Sequence, residues 1–274
     1  MKYKLIAIDM DGTLLNDEKA ITDKNLFMIN KAKENNVKIV IASGRVPGGL
    51  KFYENTIAKG ESMICSNGGI VLDDNKKTIF NNGIPKDKLF KIIDILREKK
   101  DTYYHFYHND IMCTEKLEFG SCKFYNFNKN IDRKYRMEIR IVPNSKEYVK
   151  KIEEPISKIV IMDEDFNYLK ELEEMINRVC SVSITRSDLN NLEITNEGID
   201  KGQGLSILSD YYKIPLSECI AIGNDENDIS MIKKAGIGVV MKNARDYVKS
   251  FGDYTTLRDN NEDGIAEVIE KFIF

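Results

Sequence analysis

Carboxylates that directly follow an apolar run are the residues of this sequence best suited to chemistry. Asp9 and Asp11 follow the apolar run at residues 5–8, and Gly12 comes next. Open α/β sheets bind ligands just beyond the carboxyl ends of their strands, where two carboxylates can bind a cation or transfer protons. The alternative interpretation is that both residues only form a turn, because Asp-Gly is common in turns.

A second acidic cluster follows the apolar run at residues 219–222. Residues 224–228 hold three carboxylates and two amides in consecutive positions. Oxygen ligands of this kind suit Mg²⁺. An acidic helix N-terminus, stabilised by the helix dipole, would explain Glu226 and Asp228 but explains the whole cluster less well.

A serine and a lysine complete the set of candidate residues. Ser43 and Gly44 follow the apolar run at residues 37–42, and Lys201 begins a predicted helix over residues 201–212. A Ser-Gly pair alone is weak evidence of function, and a lone lysine at a helix start is usually solvated. The positive charge of Lys201 is nevertheless unfavourable at the positive end of the helix dipole, which directs attention to it.

Predicted strands and helices alternate along the parts of the chain that carry these residues. Residues 4–42 read as strand, helix and strand, with Thr22 as the helix cap, and this order predicts parallel neighbouring strands. Residues 63–65 predict a third strand, and residues 69–80 predict a hairpin. The strand–helix alternation resumes toward the C-terminus, so we expect one parallel sheet built from both ends of the chain.

The middle of the chain has a different texture. It predicts helices at residues 85–99 and 164–179 and strands at Tyr103–His108 and 158–162, a mixed α+β pattern. A basic and aromatic stretch at residues 119–140 could bind an anionic or aromatic ligand, but we expect it mainly to pack a small sheet.

The predicted fold class is therefore α/β, with a Rossmann-like parallel sheet as the core and an inserted α+β domain. The predicted boundaries are residues 1–82 for the first part of the core, 83–188 for the insertion and 189–274 for the second part of the core. This arrangement brings four polar segments to one edge of the sheet. A shared functional site explains this grouping better than coincidence.

These four segments resemble the motifs of the haloacid dehalogenase (HAD) superfamily of phosphatases, most closely its Cof-type subgroup. They are Asp9-x-Asp11-Gly12-Thr13-Leu14-Leu15, Ser43-Gly44-Arg45, Lys201-Gly202 and Gly223-Asn224-Asp225-x-Asn227-Asp228-Ile229-x-Met231. Residues 65–69 and 196–202 are also similar to that subgroup, which has a large cap domain between the second and third motifs. The resemblance covers the whole chain and implies the HAD fold with a cap.

The resemblance implies a Mg²⁺-dependent phosphomonoesterase for small phosphorylated metabolites, such as sugar phosphates or cofactor phosphates. Asp9 would be the nucleophile that forms an aspartyl-phosphate, and an aspartate with a pKa near ~3.9 is already ionised at neutral pH. Asp11 would protonate the leaving group and later deprotonate water, for which its pKa must be raised. Ser43 would hydrogen-bond the phosphoryl group, and Lys201 would neutralise its charge.

The resemblance also implies that Mg²⁺ binds Asp9, the backbone carbonyl of Asp11 and the loop at residues 224–228. The family usually has Gly-Asp at the start of this loop, where this chain has Gly223-Asn224. Either the amide oxygen of Asn224 binds the ion, or Asp225 takes over. We expect Asn224 to bind it, with Asp225 and Asp228 nearby.

Three further residues are expected to contact the substrate. They are Gly44, Arg45 and Asn67. Arg45 could instead pair with an acidic residue, and Asn67 could only shape the Gly68-Gly69 turn.

Composition and charge exclude several other classes of protein. The 274 residues include 41 Lys or Arg and 44 Asp or Glu, a net charge of −3, so no bulk positive field would attract nucleic acid. The apolar runs are too short for the ~20 residues of a membrane span or for a secretion signal, so we expect a cytoplasmic protein. Five scattered cysteines are expected to be reduced and buried as small hydrophobic residues, and no obligate protein partner is indicated.

Two other classes of function would use the same residues. A phosphomutase or phosphotransferase would share the aspartyl-phosphate and pass the phosphoryl group to a hydroxyl instead of water. A phospho-receiver or metabolite-binding protein would use the acidic pocket without turnover, but such a protein needs no inserted region of domain size.

Overall fold

The computed structural model describes residues 2–53, 56–57 and 60–274. The chain divides into two compact units. The first is drawn from Met1–Gly44, Glu54–Phe80 and Asp200–Phe274, and the second from Arg45–Tyr53 and Asn81–Ile199.

The β-strands form the framework of both units. They are, in chain order, β1 (Leu5–Asp9), β2 (Lys38–Ala42), β3 (Ser62–Cys65), β4 (Ile70–Leu72), β5 (Thr78–Asn81), β6 (Tyr103–His108), β7 (Ile111–Thr114), β8 (Ile139–Ile141), β9 (Ile156–Met162), β10 (Val182–Thr185), β11 (Asn191–Asn196), β12 (Cys219–Gly223), β13 (Ile237–Val240) and β14 (Tyr254–Thr255).

The α-helices connect these strands and cover their faces. They are α1 (Asp23–Glu34), α2 (Pro47–Leu50), α3 (Lys86–Leu96), α4 (Phe119–Lys129), α5 (Ser145–Lys151), α6 (Phe166–Val179), α7 (Lys201–Tyr212), α8 (Ile229–Lys234), α9 (Asp246–Lys249) and α10 (Gly264–Phe272). Thr22 caps α1 as predicted, because its side-chain oxygen accepts a hydrogen bond from the backbone N–H of Asn25 at 3.3 Å.

The sheet of the first unit places the candidate residues at one edge. Its eight strands run in the order β14-β13-β12-β1-β2-β3-β4-β5. The fully buried β1 lies between β12 and β2 and pairs with both in parallel, so that Ile8 lies opposite Ile222 and Asp9 opposite Ala42. The carboxyl ends of these three strands therefore meet, and the predicted parallel α/β core is confirmed.

The second unit contains a six-stranded sheet in the order β10-β11-β9-β6-β7-β8. One face of this sheet packs against α3, α5 and α6 through a core that includes Phe106, Ile161 and Leu192. The strand β11 belongs here because it pairs antiparallel with β9 and β10. The second unit thus continues past the boundary predicted at residue 189 and also takes in Arg45–Tyr53.

The basic and aromatic stretch at residues 119–140 begins with a helix that the sequence analysis did not predict. Glu118 and Ser121 form a capping box at the start of α4, in which each side chain accepts a hydrogen bond from the backbone N–H of the other residue. The capping signal is weak in the sequence because glutamate replaces the usual Ser, Thr, Asp or Asn at the cap.

The structure also bears on the predictions about membrane segments and cysteines. Over residues 2–53, 56–57 and 60–274, no helix has both the length and the apolar composition to cross a bilayer. All five cysteines are free thiols, and four of them are buried, whereas Cys122 is partly exposed.

His105 lies between the hydroxyl groups of Tyr103 and Tyr107, at 3.1 and 3.2 Å, and burial lowers its pKa to about 3.

Candidate active site

A buried lysine joins two carboxylates from distant parts of the chain. The Lys201 ammonium donates hydrogen bonds to Asp9 Oδ1 at 2.7 Å and to Asp228 Oδ1 at 2.6 Å. Lys201 and Asp228 are fully buried, and Asp9 is 6% exposed. The structure therefore brings together three of the residues that the sequence analysis singled out.

The unfavourable place of Lys201 at a helix start has a structural explanation. Asp200 caps α7 by accepting a hydrogen bond from the backbone N–H of Gln203 at 2.7 Å, so that Lys201 is the first residue of the helix. Its charge is balanced by Asp9 and Asp228 rather than by the helix, because a buried ammonium needs ionic partners.

The buried carboxylate of Asp9 does not have an ordinary pKa. Burial raises the pKa of Asp9 to about 7, the charge of Asp228 also raises it, and Lys201 acts in the opposite direction. The expectation of a pKa near ~3.9 is therefore wrong, because it ignored desolvation. Burial by itself would lower the pKa of Lys201, but Asp228 and Asp9 outweigh it and raise that pKa above its usual range.

Three oxygen atoms, from Asp9, Asp11 and Thr13, surround one end of the Asn224 side-chain amide. Asn224 Oδ1 accepts a hydrogen bond from the Thr13 hydroxyl at 2.7 Å. The Asn224 Oδ1 atom also lies 3.2 Å from Asp9 Oδ2 and 2.9 Å from the Asp11 carbonyl oxygen. Turning the amide by half a rotation would place its NH₂ group there, where it would donate to all three oxygens.

The spacing of these oxygens fits a divalent cation. An octahedral Mg²⁺ with ligands at 2.0–2.1 Å holds neighbouring ligand oxygens about 3 Å apart. The distances from Asn224 Oδ1 to Asp9 Oδ2 and to the Asp11 carbonyl oxygen, 3.2 and 2.9 Å, are of that size. In the part of the chain that the structure describes, no three His, Cys, Asp or Glu side chains form a ligand group, so an ion here depends on backbone and amide oxygens.

The other two acids of the loop have different surroundings. Asp225 Oδ1 pairs with the Arg245 guanidinium at 2.5 Å and accepts a hydrogen bond from the Glu226 N–H at 2.8 Å. Asp228 Oδ2 accepts hydrogen bonds from the backbone N–H groups of Asn224 at 2.9 Å and Asp225 at 3.1 Å. Asp228 thus holds the loop through one carboxylate oxygen and Lys201 through the other. These contacts favour a role for Asp228 in positioning the other residues of the site.

Asp11 lies on the turn that follows β1. Its carboxylate forms an ion pair with Lys19 at 3.0 Å, and 43% of its side chain is exposed. Gly12 has a φ of +78°, and a Cβ atom there would lie 2.7 Å from Asn224 Nδ2. The glycine therefore permits both the turn and the close approach of the Asn224 side chain.

Ser43, Gly44, Arg45 and Asn67 are placed by two neighbouring segments. The buried Ser43 follows β2, and its carbonyl accepts a hydrogen bond from the Asn67 N–H at 3.1 Å. Asn67 Oδ1 accepts a hydrogen bond from Asn227 at 3.1 Å, and its φ of 56° shapes the turn. Gly44 ends a segment of the first unit, whereas Arg45 belongs to the second, where it lies over the Tyr53 ring.

Thr13, Asn227 and Arg245 have contacts that the sequence analysis did not assign. Thr13 and Asn227 lie inside the motifs quoted above, so their positions in the sequence could have identified them as residues of the site. Arg245 gave none, because only the tertiary structure brings it to Asp225.

The turn after β3 supports the lysine through a glycine. Gly68 has a φ of +105°, and a Cβ atom there would lie 2.2 Å from the backbone carbonyl oxygen of Asp200, the residue before Lys201. We expect Gly68→Ala to lower the free energy of unfolding by about 1–3 kcal/mol, because backbone must move.

Gly198→Ala is the matched control. Gly198 also has a positive φ, +74°, but nothing lies within 4 Å of its added Cβ atom, so only backbone strain is expected. Urea denaturation of both variants measures the difference. Equal losses of stability would show that the contact with Asp200 is unimportant.

Comparisons with known proteins show which family this chain resembles along most of its length. A family model described as haloacid dehalogenase-like hydrolase matches residues 6–269. The 5-amino-6-(5-phospho-D-ribitylamino)uracil phosphatase YcsE of Bacillus subtilis is 30% identical over 270 residues, which cover 98% of this chain and 96% of that protein.

Solved structures agree over the same length. A haloacid dehalogenase-like hydrolase from Bacteroides thetaiotaomicron has a TM-score of 0.83 and 32% identity, covering 99% of this chain and 100% of that one. The HAD subclass IIB sugar phosphatase BT4131 has a TM-score of 0.82 and 26% identity, covering 98% of both chains.

Proposed function

Because this chain belongs to the haloacid dehalogenase-like hydrolase family, we propose that it is a Mg²⁺-dependent phosphomonoesterase that works through an aspartyl-phosphate at Asp9. Family membership confirms the resemblance drawn from the motifs and the expectation of an enzyme. The observation that carries the proposal is the buried contact of Asp9 with Lys201, at the edge where Asn224 and the Asp11 carbonyl also converge.

The first step would be attack by Asp9 on phosphorus. A bond forms between a carboxylate oxygen and phosphorus while the bond to the ester oxygen breaks, and Asp11 gives a proton to the departing alkoxide. In the second step water attacks the aspartyl-phosphate and gives its proton to Asp11, which releases inorganic phosphate and regenerates Asp9. Lys201 holds Asp9 in place and offers a positive charge beside the transferring group.

The residues that would hold Mg²⁺ are Asp9, Asn224 and the Asp11 carbonyl. When bound, the ion would supply charge neutralisation between two anions and would favour the ionised form of Asp9. The second effect matters here because burial raises the pKa of Asp9 to about 7. Asp228 would keep Asn224 in place through the backbone hydrogen bond at 2.9 Å.

The substrate class follows from the relatives and the second unit. YcsE is named for a phosphorylated ribitylaminouracil and BT4131 for sugar phosphates, so we propose small phosphorylated metabolites for this chain. The inserted region predicted at residues 83–188 would act as the cap. Ser43 would bind the phosphoryl group, and Gly44, Arg45 and Asn67 would contact substrate.

A screen of phosphorylated metabolites for released inorganic phosphate tests the proposal. We expect release in the presence of Mg²⁺ and its loss after chelation with EDTA. Sugar phosphates, nucleotides and cofactor phosphates should be included without any hydroxyl acceptor besides water. Phosphate release from none of them, or release that EDTA does not reduce, would overturn the proposal.

The neutral ligand at position 224 leads to a prediction about the metal. Asn224→Asp adds a negative charge to the set of ligand oxygens, so we expect the Mg²⁺ concentration for half-maximal activity to fall roughly tenfold. Isothermal titration with Mg²⁺ alone provides a second measurement.

Asp225→Asn is the control for this change. Asp225 is paired with Arg245, so its neutralisation should leave the Mg²⁺ titration unchanged. If instead Asp225→Asn weakens Mg²⁺ binding and Asn224→Asp has no effect, then Asp225 rather than Asn224 binds the ion.

A further inference from the structure

An asparagine from the C-terminal part of the first unit holds the turn that carries Asp11. Asn243 Nδ2 donates a hydrogen bond to the backbone carbonyl oxygen of Gly12 at 2.8 Å, across 231 residues of sequence. Gly12 directly follows Asp11, and its φ of +78° lies in the left-handed region. Because glycine has more backbone freedom than any other residue, a hydrogen bond to its carbonyl restricts a part of the turn that would otherwise be free to rotate.

The backbone that carries Asn243 is attached to the sheet. Asn243 follows β13 and lies between Met241 and Ala244, which are both buried. The Met241 N–H donates to the carbonyl of Gly223, the last residue of β12, at 3.0 Å, and the Ala244 N–H donates to the Met241 carbonyl at 3.0 Å. Since β12 lies between β13 and β1 in the sheet, the Asn243 side chain reaches past the end of β12 to the turn after β1.

The carboxylate of Asp11 depends on its backbone for its position more than that of Asp9 does. Asp9 is buried and is held by the fully buried Lys201 at 2.7 Å. In contrast, 43% of the Asp11 side chain is exposed, and its ion-pair partner Lys19 is also exposed and belongs to the same loop. An ion pair between exposed groups positions them only weakly. A contact that fixes the backbone beside Asp11 therefore has a large influence on where its carboxylate lies.

A second asparagine holds the same loop farther from Asp11. Asn260, which is buried, donates through Nδ2 to the Leu15 carbonyl oxygen at 3.1 Å. Asn243 and Asn260 thus bind two carbonyl groups of one loop. Asn243 is the one of the two that acts next to Asp11.

We propose that Asn243 is a positioning residue for the proton transfers of Asp11: by holding the Gly12 carbonyl, it keeps the Asp11 carboxyl group directed at the oxygen of the leaving alcohol. Asn243 acts through the backbone of the turn rather than on the reacting atoms. The proposal rests on the phosphomonoesterase function proposed above, in which Asp11 gives a proton to the departing alkoxide and later takes one from water.

The test compares a leaving group that needs this proton with one that does not. An alkoxide is a strong base and requires a proton as it departs, whereas p-nitrophenolate is stable without one. Single-turnover release of the alcohol measures the first step alone, before water attacks the aspartyl-phosphate. The two probes are p-nitrophenyl phosphate and the alkyl phosphate that the screen shows to be hydrolysed fastest, beginning with glucose 6-phosphate.

Asn243→Ala is expected to slow release of the alkyl alcohol roughly tenfold, which is the effect of losing one hydrogen bond. Release of p-nitrophenol should stay within about twofold of the wild type. Asn35→Ala is the matched control, because Asn35 Nδ2 donates to the backbone carbonyl of Lys31 at the same distance, 2.8 Å. Asn35 ends α1 just before β2 begins, at the opposite edge of the sheet, so its variant should match the wild type with both probes.

A double variant shows whether Asn243 acts through Asp11. Asp11→Asn removes the proton donor and should slow release of the alkyl alcohol by about 10²–10⁴-fold. Adding Asn243→Ala to Asp11→Asn should then cause no further loss, because two changes are not additive when one residue acts through the other. Backbone amide hydrogen exchange over residues 11–17 should be faster in Asn243→Ala than in the wild type, and this measurement does not depend on activity.

Three results would overturn the positioning role of Asn243. They are an equal loss with both probes, a further tenfold loss when Asn243→Ala is added to Asp11→Asn, and unchanged release of the alkyl alcohol in Asn243→Ala. Two other results would count against the proposed function instead. Release of the alkyl alcohol at the wild-type rate by Asp11→Asn would remove Asp11 as the acid. Faster exchange in Asn243→Ala, combined with no Asp9-dependent phosphate release from any compound, would support the hold on the turn and overturn the phosphomonoesterase proposal.

Discussion

Asp9→Asn is expected to reduce phosphate release by about 10⁴-fold or more, because an amide cannot replace the carboxylate that attacks phosphorus. Asparagine has nearly the same shape as aspartate and keeps a side-chain oxygen that Lys201 can hydrogen-bond. Single-turnover measurements of released phosphate at saturating Mg²⁺ would quantify the loss. Residual activity within tenfold of the wild type would remove Asp9 from the mechanism.

The same variant has an expected effect on stability, which shows whether it is folded. The pKa of Asp9 is raised from 3.8 to about 7, so the folded state retains a proton that the unfolded state loses between these pH values. Stability therefore falls as pH rises across this interval, and the penalty is fully present above about pH 7. In metal-free buffer at pH 8, Asp9→Asn should thus raise Tm, whereas near pH 4 the two proteins should be similar.

Differential scanning calorimetry at the two pH values measures this effect. Each 1 kcal/mol corresponds to about 2–4 °C in a chain of this size. A Tm that Asp9→Asn lowers equally at both pH values would indicate a packing defect, and the loss of activity would then not identify a nucleophile.

Lys201→Met is expected to reduce activity by about 10²–10³-fold and to lower the free energy of unfolding by about 3–5 kcal/mol at neutral pH. The methionine side chain fills similar volume, but it leaves Asp9 and Asp228 buried without the ammonium that contacts both at 2.7 and 2.6 Å. The loss of stability should shrink at acidic pH, where the carboxylates can take up protons.

The double variant Lys201→Met with Asp228→Asn separates the two effects. It removes one buried negative charge along with the positive charge, so we expect it to recover part of the stability and none of the activity. Lys242→Met is the control, because Lys242 pairs with Glu262 at the surface and should contribute little. Urea denaturation and phosphate release measure all three. Unchanged stability in Lys201→Met would contradict the ionic contacts of the buried lysine.

Most of the first unit was predictable from local patterns. Short apolar runs such as residues 5–8 and 219–222 can be buried only as central strands, and the helix between β1 and β2 requires these strands to be parallel. Since side chains at the carboxyl ends of parallel strands share one edge, the approach of Asp9 and Asp228 to one another followed from their positions after β1 and β12. Lys201 does not follow a strand of this sheet, and only its match to the family motif pointed to the site.

Other features were not accessible from local patterns. α4 was missed because aromatic and polar residues obscure its helical period and glutamate is an unusual cap. The strand β11 was assigned to the returning core segment, since its apolar alternation suits either sheet and only its pairing with β9 and β10 decides between them.

Local patterns were enough to identify the α/β class, the parallel order around β1, the family and the residues that gather at the edge of the first sheet, because periodicity and motif spacing are local properties of the chain. Contacts between distant segments establish that burial raises the pKa of Asp9 and that Asp225 pairs with Arg245. These properties depend on which distant atoms exclude water or supply charge, and no local pattern specifies those neighbours.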